Sequence, residues 1–171
     1  MGNVMKKMKN IGNQGFSLVE LVVVMAIIIV LGSAVVYGLT FLASKPVEEC
    51  ARKVEVALQG NRNTTMGKLS SSISFYTEGD KIVVLEQIDT SSKTTIIGNG
   101  VEVYYTYKSN PTNRIALGNS ASPLKVEFER SSGSLKPQAG TTDYLQSIIV
   151  KRGSKELTVN IERLTGRVTI N

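Results

Sequence analysis

One charged side chain stands inside the longest apolar run of this chain: Glu20, within Leu18 to Ala43. A carboxylate at bilayer depth costs ~2.5 to 3.5 kcal/mol on insertion scales, so it calls for a function and a partner. The rest of the sequence offers little for catalysis. There is no histidine and a single cysteine, Cys50, which excludes an intrachain disulfide, the usual zinc constellations and histidine-based triads. Asp80, Asp89 and Asp143 show no paired spacing on one recognisable element, and Gly67-Lys68-Leu69 lacks the earlier glycine and the hydroxyl of a phosphate loop. Near the C-terminus, Lys151, Arg152, Lys155, Arg163 and Arg167 outweigh Glu156 and Glu162. That clustering is what neutralising phosphates requires, although aromatics for stacking single strands are missing there.

The element that carries Glu20 is read first as a helix. At ~1.5 Å per residue the run from Leu18 to Ala43 would extend about 39 Å, more than the ~30 Å hydrocarbon core of a bilayer. Gly32, Ser33, Gly38 and Thr40 interrupt the large side chains and would let another helix approach closely where lipid supplies no hydrophobic drive. Lys6, Lys7 and Lys9 precede the run without an acid, which holds an N-terminus in the cytoplasm. A single span with the C-terminal part outside follows. The competing reading is a secretory signal cut near Gly32-Ser33-Ala34. Against it stand Glu20 within the apolar core and apolar residues continuing through Val35, Val36, Leu39 and Leu42.

The 171 residues and 42% hydrophobic content then bound one further domain of ~100 to 150 residues, the apolar fraction being inflated by the one segment. The net charge of +6 falls to +3 after Gly15, too little by itself to argue for an acidic partner. Past Ala43, Val47, Cys50, Ala51, Val54, Ala57 and Leu58 recur at helical spacing, an amphipathic continuation that buries Cys50 as a small core residue. Pro46 is expected to bend or break it, and its end is expected between Gly60 and Gly67.

From Lys68 the pattern is β. Ile73 to Thr77 and Lys81 to Glu86 flank Glu78-Gly79-Asp80, a hairpin connection; Thr94 to Ile97 and Val101 to Tyr107 flank Gly98-Asn99-Gly100, read as another. Val101, Val103, Tyr105 and Tyr107 alternate with Glu102, Tyr104 and Thr106, one face inward and one wet, as do Leu124, Val126 and Phe128 with Lys125, Glu127 and Glu129. Ser147 to Lys151, Lys155 to Glu162 and Arg167 to Ile170 read as a meander with Leu157, Val159 and Ile161 inward. Lys108 to Pro123 and Ser131 to Gln146 read as long connections, with Arg114, Lys136 and Tyr144 the side chains suited to specific contacts. The expected class is α+β: a long N-terminal helix packed against one antiparallel sheet or two small ones.

A lysine-rich leader, Gly15, then Phe16-Ser17-Leu18-Val19-Glu20 and a long apolar helix together resemble the class III signal sequence of type IV prepilins and type II secretion pseudopilins. The resemblance implies four segments: a leader over 1–15, a transmembrane and assembly half-helix over 16–43, an amphipathic half over 44–67 and a β-rich head over 68–171. It implies cleavage between Gly15 and Phe16 by a membrane prepilin peptidase that also methylates the amine of Phe16, and docking of an incoming subunit through Glu20. It assigns this chain no catalytic residue, cofactor or metal. The partners it implies are that peptidase and methyltransferase, other pilin subunits and the cytoplasmic membrane, with the head outside and, after assembly, in a pilus or pseudopilus. Given the cut, Glu20 could pair with the amine on Phe16 of its own chain, near a helix N-terminus where negative charge is favoured, or with that of a neighbour, neutralising both charges in an apolar bundle.

The ending Glu162-Arg163-Leu164-Thr165-Gly166-Arg167-Val168-Thr169-Ile170 is similar to the close of the GspH/FimT group of minor pilins and pseudopilins. Some members of that group bind DNA through a basic C-terminal patch, which here would be Lys151, Arg152, Lys155, Arg163 and Arg167. Thr169 stands where a second arginine would be expected. For the sequence alone, Gly166 supplies a positive φ and Arg167 lies on a wet strand face.

Overall fold

A computed structural model describes residues 17–67 and 69–171, with the backbone alone over 34–43. The chain forms one helix, α1 (Leu18–Met66), followed by nine strands: β1 (Ser71–Glu78), β2 (Lys81–Ile88), β3 (Ser91–Asn99), β4 (Glu102–Tyr107), β5 (Asn110–Ala116), β6 (Leu124–Val126), β7 (Leu145–Arg152), β8 (Lys155–Ile161) and β9 (Val168–Ile170). This is the expected α+β class. Two compact units divide the chain at Leu39/Thr40. In the first, every described side chain of α1 from Leu18 to Ser33 is exposed. Among the described residues, no helix is long and apolar enough to cross a membrane, so the spanning expectation is not established by the fold.

In the second unit, α1 runs unbroken through Pro46, where a break or bend was expected, and it ends at Met66, within the expected interval. Val47, Cys50, Ala51, Val54, Ala57 and Leu58 form its buried stripe, at i, i+3, i+4 and i+7 spacings. They share one core with both sheets. A four-stranded sheet of order β3-β2-β1-β6 contributes Ile73, Phe75, Ile82, Val84, Leu124 and Val126; a five-stranded sheet of order β5-β4-β7-β8-β9 contributes Val103, Ile148, Val150, Val159, Ile161 and Val168. Each strand pairing is antiparallel. The hairpin at Gly79-Asp80 and the meander β7-β8-β9 form as the alternation implies.

Three expectations are corrected. Gly98-Asn99-Gly100 is not a hairpin turn: β3 pairs with β2, whereas β4 pairs with β5 and β7, and the link passes between sheets. A Cβ on Gly98 would lie 2.7 Å from Cys50 Sγ, so this glycine permits a close approach to α1 rather than a reversal. Gly100, at φ 63, donates its N–H to the Asp80 carbonyl at 2.8 Å, and the core thereby receives Ile97 from one sheet and Val101 from the other. The reversal the sequence reading missed is Asp89-Thr90, between β2 and β3, where Asp89 adopts φ 48.

Thr106 is the second correction. It is 2% exposed and hydrogen-bonded to Ser147 at 2.7 Å, not on a wet face. The register between β4 and β7 is regular up to Thr106, which stands opposite the buried Ser147, and shifts only beyond it, before Tyr107. Third, the connection Lys108 to Pro123 contains β5, reached by the two-residue Lys108-Ser109 turn that pairs Tyr107 with Asn110. Pro111 and a polar sequence concealed it, because an edge strand tolerates both. The other connection is irregular up to Tyr144 but held: Leu135 is buried and donates to the Arg163 carbonyl at 2.9 Å, and Lys136 donates to the Glu127 carbonyl at 2.9 Å.

Candidate functional site

The start of α1 is built by Ser17. Its hydroxyl accepts the Val19 N–H at 3.3 Å and its carbonyl accepts the Leu21 N–H at 3.1 Å, which places Ser17 as the N-cap and Glu20 at the third helical position. Ser17-x-x-Glu20 has the spacing of a capping box, a signal the sequence reading did not use. Glu20 is the one acid of the first turn, where the unsatisfied N–H groups favour negative charge. It is exposed, and among the described residues it enters no salt bridge. Gly15 and Phe16, the expected cleavage and methylation positions, lie outside the described residues.

Around Glu20 the helix presents apolar side chains on all sides. Leu18, Val19, Leu21, Val22, Val23, Val24, Met25 and Ile27 to Leu31 are each about half exposed or more. Gly32 has open space at its Cβ position, and Ser33 turns its hydroxyl back to the Val30 carbonyl at 2.8 Å, so neither projects polarity. A helix apolar all round is a buried helix. What this one can do chemically is associate with other apolar matter while one carboxylate waits near its N-terminus.

The five basic residues of the C-terminal segment do not come together. Lys151, Arg152 and Lys155 flank the Gly153-Ser154 turn, where Arg152 pairs with Lys155 and Lys151 with Glu156. Lys155 Nζ lies 3.8 Å from Glu48 Oε1 on α1. Arg163 and Arg167 lie beyond the other end of β8, about 20 Å away at ~3.4 Å per residue. Arg163 sits 4.9 Å over the Tyr144 ring, a cation–π contact, and Arg167 is exposed. Arg114 reaches across the outer face of the five-stranded sheet to grip Glu156 with two hydrogen bonds of 2.8 and 2.9 Å. That guanidinium holds the Glu156 carboxyl below the usual carboxylate range. Lys136 lies 3.9 Å from Glu127. Each side chain expected to offer a loop contact is thus engaged within the molecule.

Gly166 does have the expected positive φ, 63, and a second reason to be glycine. A Cβ there would lie 2.0 Å from the Gly133 carbonyl oxygen and 2.9 Å from Arg62 Nε. Arg62 donates that N–H to the Gly133 carbonyl at 3.2 Å, tying the end of α1 to two tight turns. Nothing in the spacing of Arg62, Gly133 and Gly166 could have joined them. Cys50 is buried as expected, and burial pushes its thiol up to about 12. Among the described residues, no group of three or more His, Cys, Asp or Glu is placed to hold a metal ion.

Residues 11–36 match the family described as the prokaryotic N-terminal methylation motif. No curated protein and no solved structure matches the chain. The matched segment spans Gly15, Phe16, Ser17 and Glu20 together with the exposed apolar half of α1. Over residues 11–36 the chain therefore carries the prokaryotic N-terminal methylation motif, the class III prepilin signal.

Proposed function

We propose that this chain is a type IV pilin-like subunit of the minor kind, inserted as a membrane-anchored precursor and then drawn into a fibre, either a pilus or a type II secretion pseudopilus. The observation that carries the proposal is the first half of α1, apolar on every described face and uncovered, with its single carboxylate at the N-terminus. Before assembly, lipid covers that surface, with the leader lysines in the cytoplasm and the head outside. After assembly, the same half-helices of neighbouring subunits cover it. Prepilin peptidase cuts between Gly15 and Phe16 and methylates the new amine. Glu20 then accepts the charge of the Phe16 amine of a neighbouring subunit, and the pair sets the axial step. The minor assignment rests on the ending through Thr165-Gly166-Arg167-Val168 and its similarity to minor pilins.

Mass spectrometry of the mature protein tests the reading. Wild type should begin at Phe16 with one added methyl group, and substituting Gly15 with a bulkier residue should leave the full precursor mass; a mature mass unchanged by that substitution overturns the leader assignment. Glu20→Ala should be cut normally but enter fibres poorly. Mutant fibres at wild-type level would remove Glu20 from docking.

A further inference from the structure

The head has four sheet edges, and three of them are blunted. β6 and β9 have three residues each, too few to template another strand. β5 carries Pro111 and a register break against β4; proline and irregularity are how edges are protected. β3 keeps a regular register against β2 from Ser91 to Ile96, its one irregularity falling past Ile96, where Ile82 pairs with Gly98. It is nine residues long, without proline, with Lys93 its one charge, and Ser91 to Ile96 are exposed on both faces. The two-residue Asp89-Thr90 turn fixes which groups point where. Ile88 opposite Ser91 closes the hairpin, so Ser91, Lys93 and Thr95 aim their N–H and C=O groups at β2, while Ser92, Thr94 and Ile96 aim theirs outward.

We infer that the outer edge of β3 is an interaction surface that pairs antiparallel with β3 of a second copy of this chain. Self-pairing must match outward-facing residues with one another, which leaves few registers. One sets Lys93 against Lys93 of the second copy and is disfavoured by like charge. The register centred on Thr94 sets Thr94 against Thr94 of the second copy, Lys93 against Thr95 and Ser92 against Ile96. It opposes no like charges, makes a threonine cross-strand pair and gives the half-exposed Ile96 side chain, 51% accessible, a neighbour. Moving the centre to Thr95 would recruit Ile97, which is already buried in the core. The contact is isologous and closes on itself, so it is distinct from the apolar packing of α1 in a fibre and does not depend on it.

The test is amide hydrogen exchange on the full chain in detergent micelles at low and high protein concentration. The Ser92, Thr94 and Ile96 amides should exchange severalfold more slowly at high concentration, and Thr94→Pro, which removes the central outward N–H at a position where an edge strand accepts proline, should abolish the slowing at Ser92 and Ile96. Thr94→Cys should form disulfide-linked dimers, since paired Cα atoms ~5.5 Å apart suit that bond; Thr112→Cys on β5 should not. Exchange at β3 independent of concentration overturns the inference, and is the result expected if the natural occupant is a strand of another protein. Equal cross-linking at both cysteines overturns it too. Concentration dependence confined to α1 would refute β3 pairing and leave the fibre proposal standing; a failed Gly15 test with β3 protected would do the reverse.

Discussion

The two halves of α1 use the same vocabulary of side chains to opposite ends. Between Val47 and Leu58, Val47, Cys50, Ala51, Val54, Ala57 and Leu58 occupy one stripe, and each is buried in the core shared with the sheets, with Val56 the one apolar residue left on the wet side. From Leu18 to Leu31 the valines, isoleucines and leucines occupy every face and are exposed. Fully burying a side chain of this size yields ~1.5 to 3 kcal/mol; the second half has collected that stabilisation within its own chain, whereas the first has it still to gain. The amphipathic half is covered by the folding of its own chain, whereas folding leaves the described apolar half uncovered. The contrast also accounts for the placement of charge. Glu48, Glu49, Arg52 and Lys53 line the wet side of the covered half, with Glu49 and Lys53 paired at 2.7 Å, while the uncovered half carries Glu20 alone.

Matched substitutions sharpen this contrast. Phe75 is 1% exposed in the head core and Ile28 is 59% exposed on the apolar half. Phe75→Ala should cost ~3 to 5 kcal/mol of head stability, measured by denaturant unfolding. Ile28→Ala should leave head stability within ~0.5 kcal/mol and lower fibre yield instead; equal destabilisation by the two would break the division of labour.

Next in size is Gly166→Ala. Positive φ and the nearby Gly133 carbonyl combine there, and a loss of about 3 kcal/mol or more is expected. Gly79→Ala shares the positive φ but has open space around its Cβ position, and should cost only ~1 to 2 kcal/mol. Similar values for the two would mean that contact at Gly166 contributes nothing. Thr106→Val would leave the Ser147 hydroxyl buried without its partner, at ~1 to 3 kcal/mol.

The smallest effect concerns Cys50. Burial raises its pKa from 9.0 to about 12, so the folded state keeps the proton that the unfolded state loses first. Stability from this group is fully present below pH 9.0 and falls as pH rises towards 12. At pH 8 a thiol reagent should label the unfolded chain and spare the folded one; rapid labelling of the native protein would show that the covered half of α1 opens readily.

Where the sequence spoke plainly, the physics was local. Glu20 in an apolar run, the stripe from Val47 to Leu58 and the period-two strands of the meander each depend on neighbours a few positions away, and the structure keeps them. The misreadings fall where the deciding partner is remote. Gly98-Asn99-Gly100 has turn composition, but Cys50 draws Gly98 towards α1 and the chain changes sheet. Thr106 has the phase of a wet position, but its partner on β7 is the buried Ser147, to which it hydrogen-bonds. Arg114 sat in an apparent loop because its partner Glu156 is three strands away along the sheet.

By itself, the sequence determined that three lysines and a glycine precede an apolar helix bearing one acid, because composition and spacing along a single helix are one-dimensional properties. It also determined the α+β class, since the switch from helical to alternating periodicity is written in order along the chain. Only the tertiary structure decided that the head is two sheets rather than one, that five basic residues lie at two ends of β8, and that β3 is left with a bare edge. Those depend on which strand lies beside which, and strand neighbours are fixed by long-range packing that no local pattern encodes.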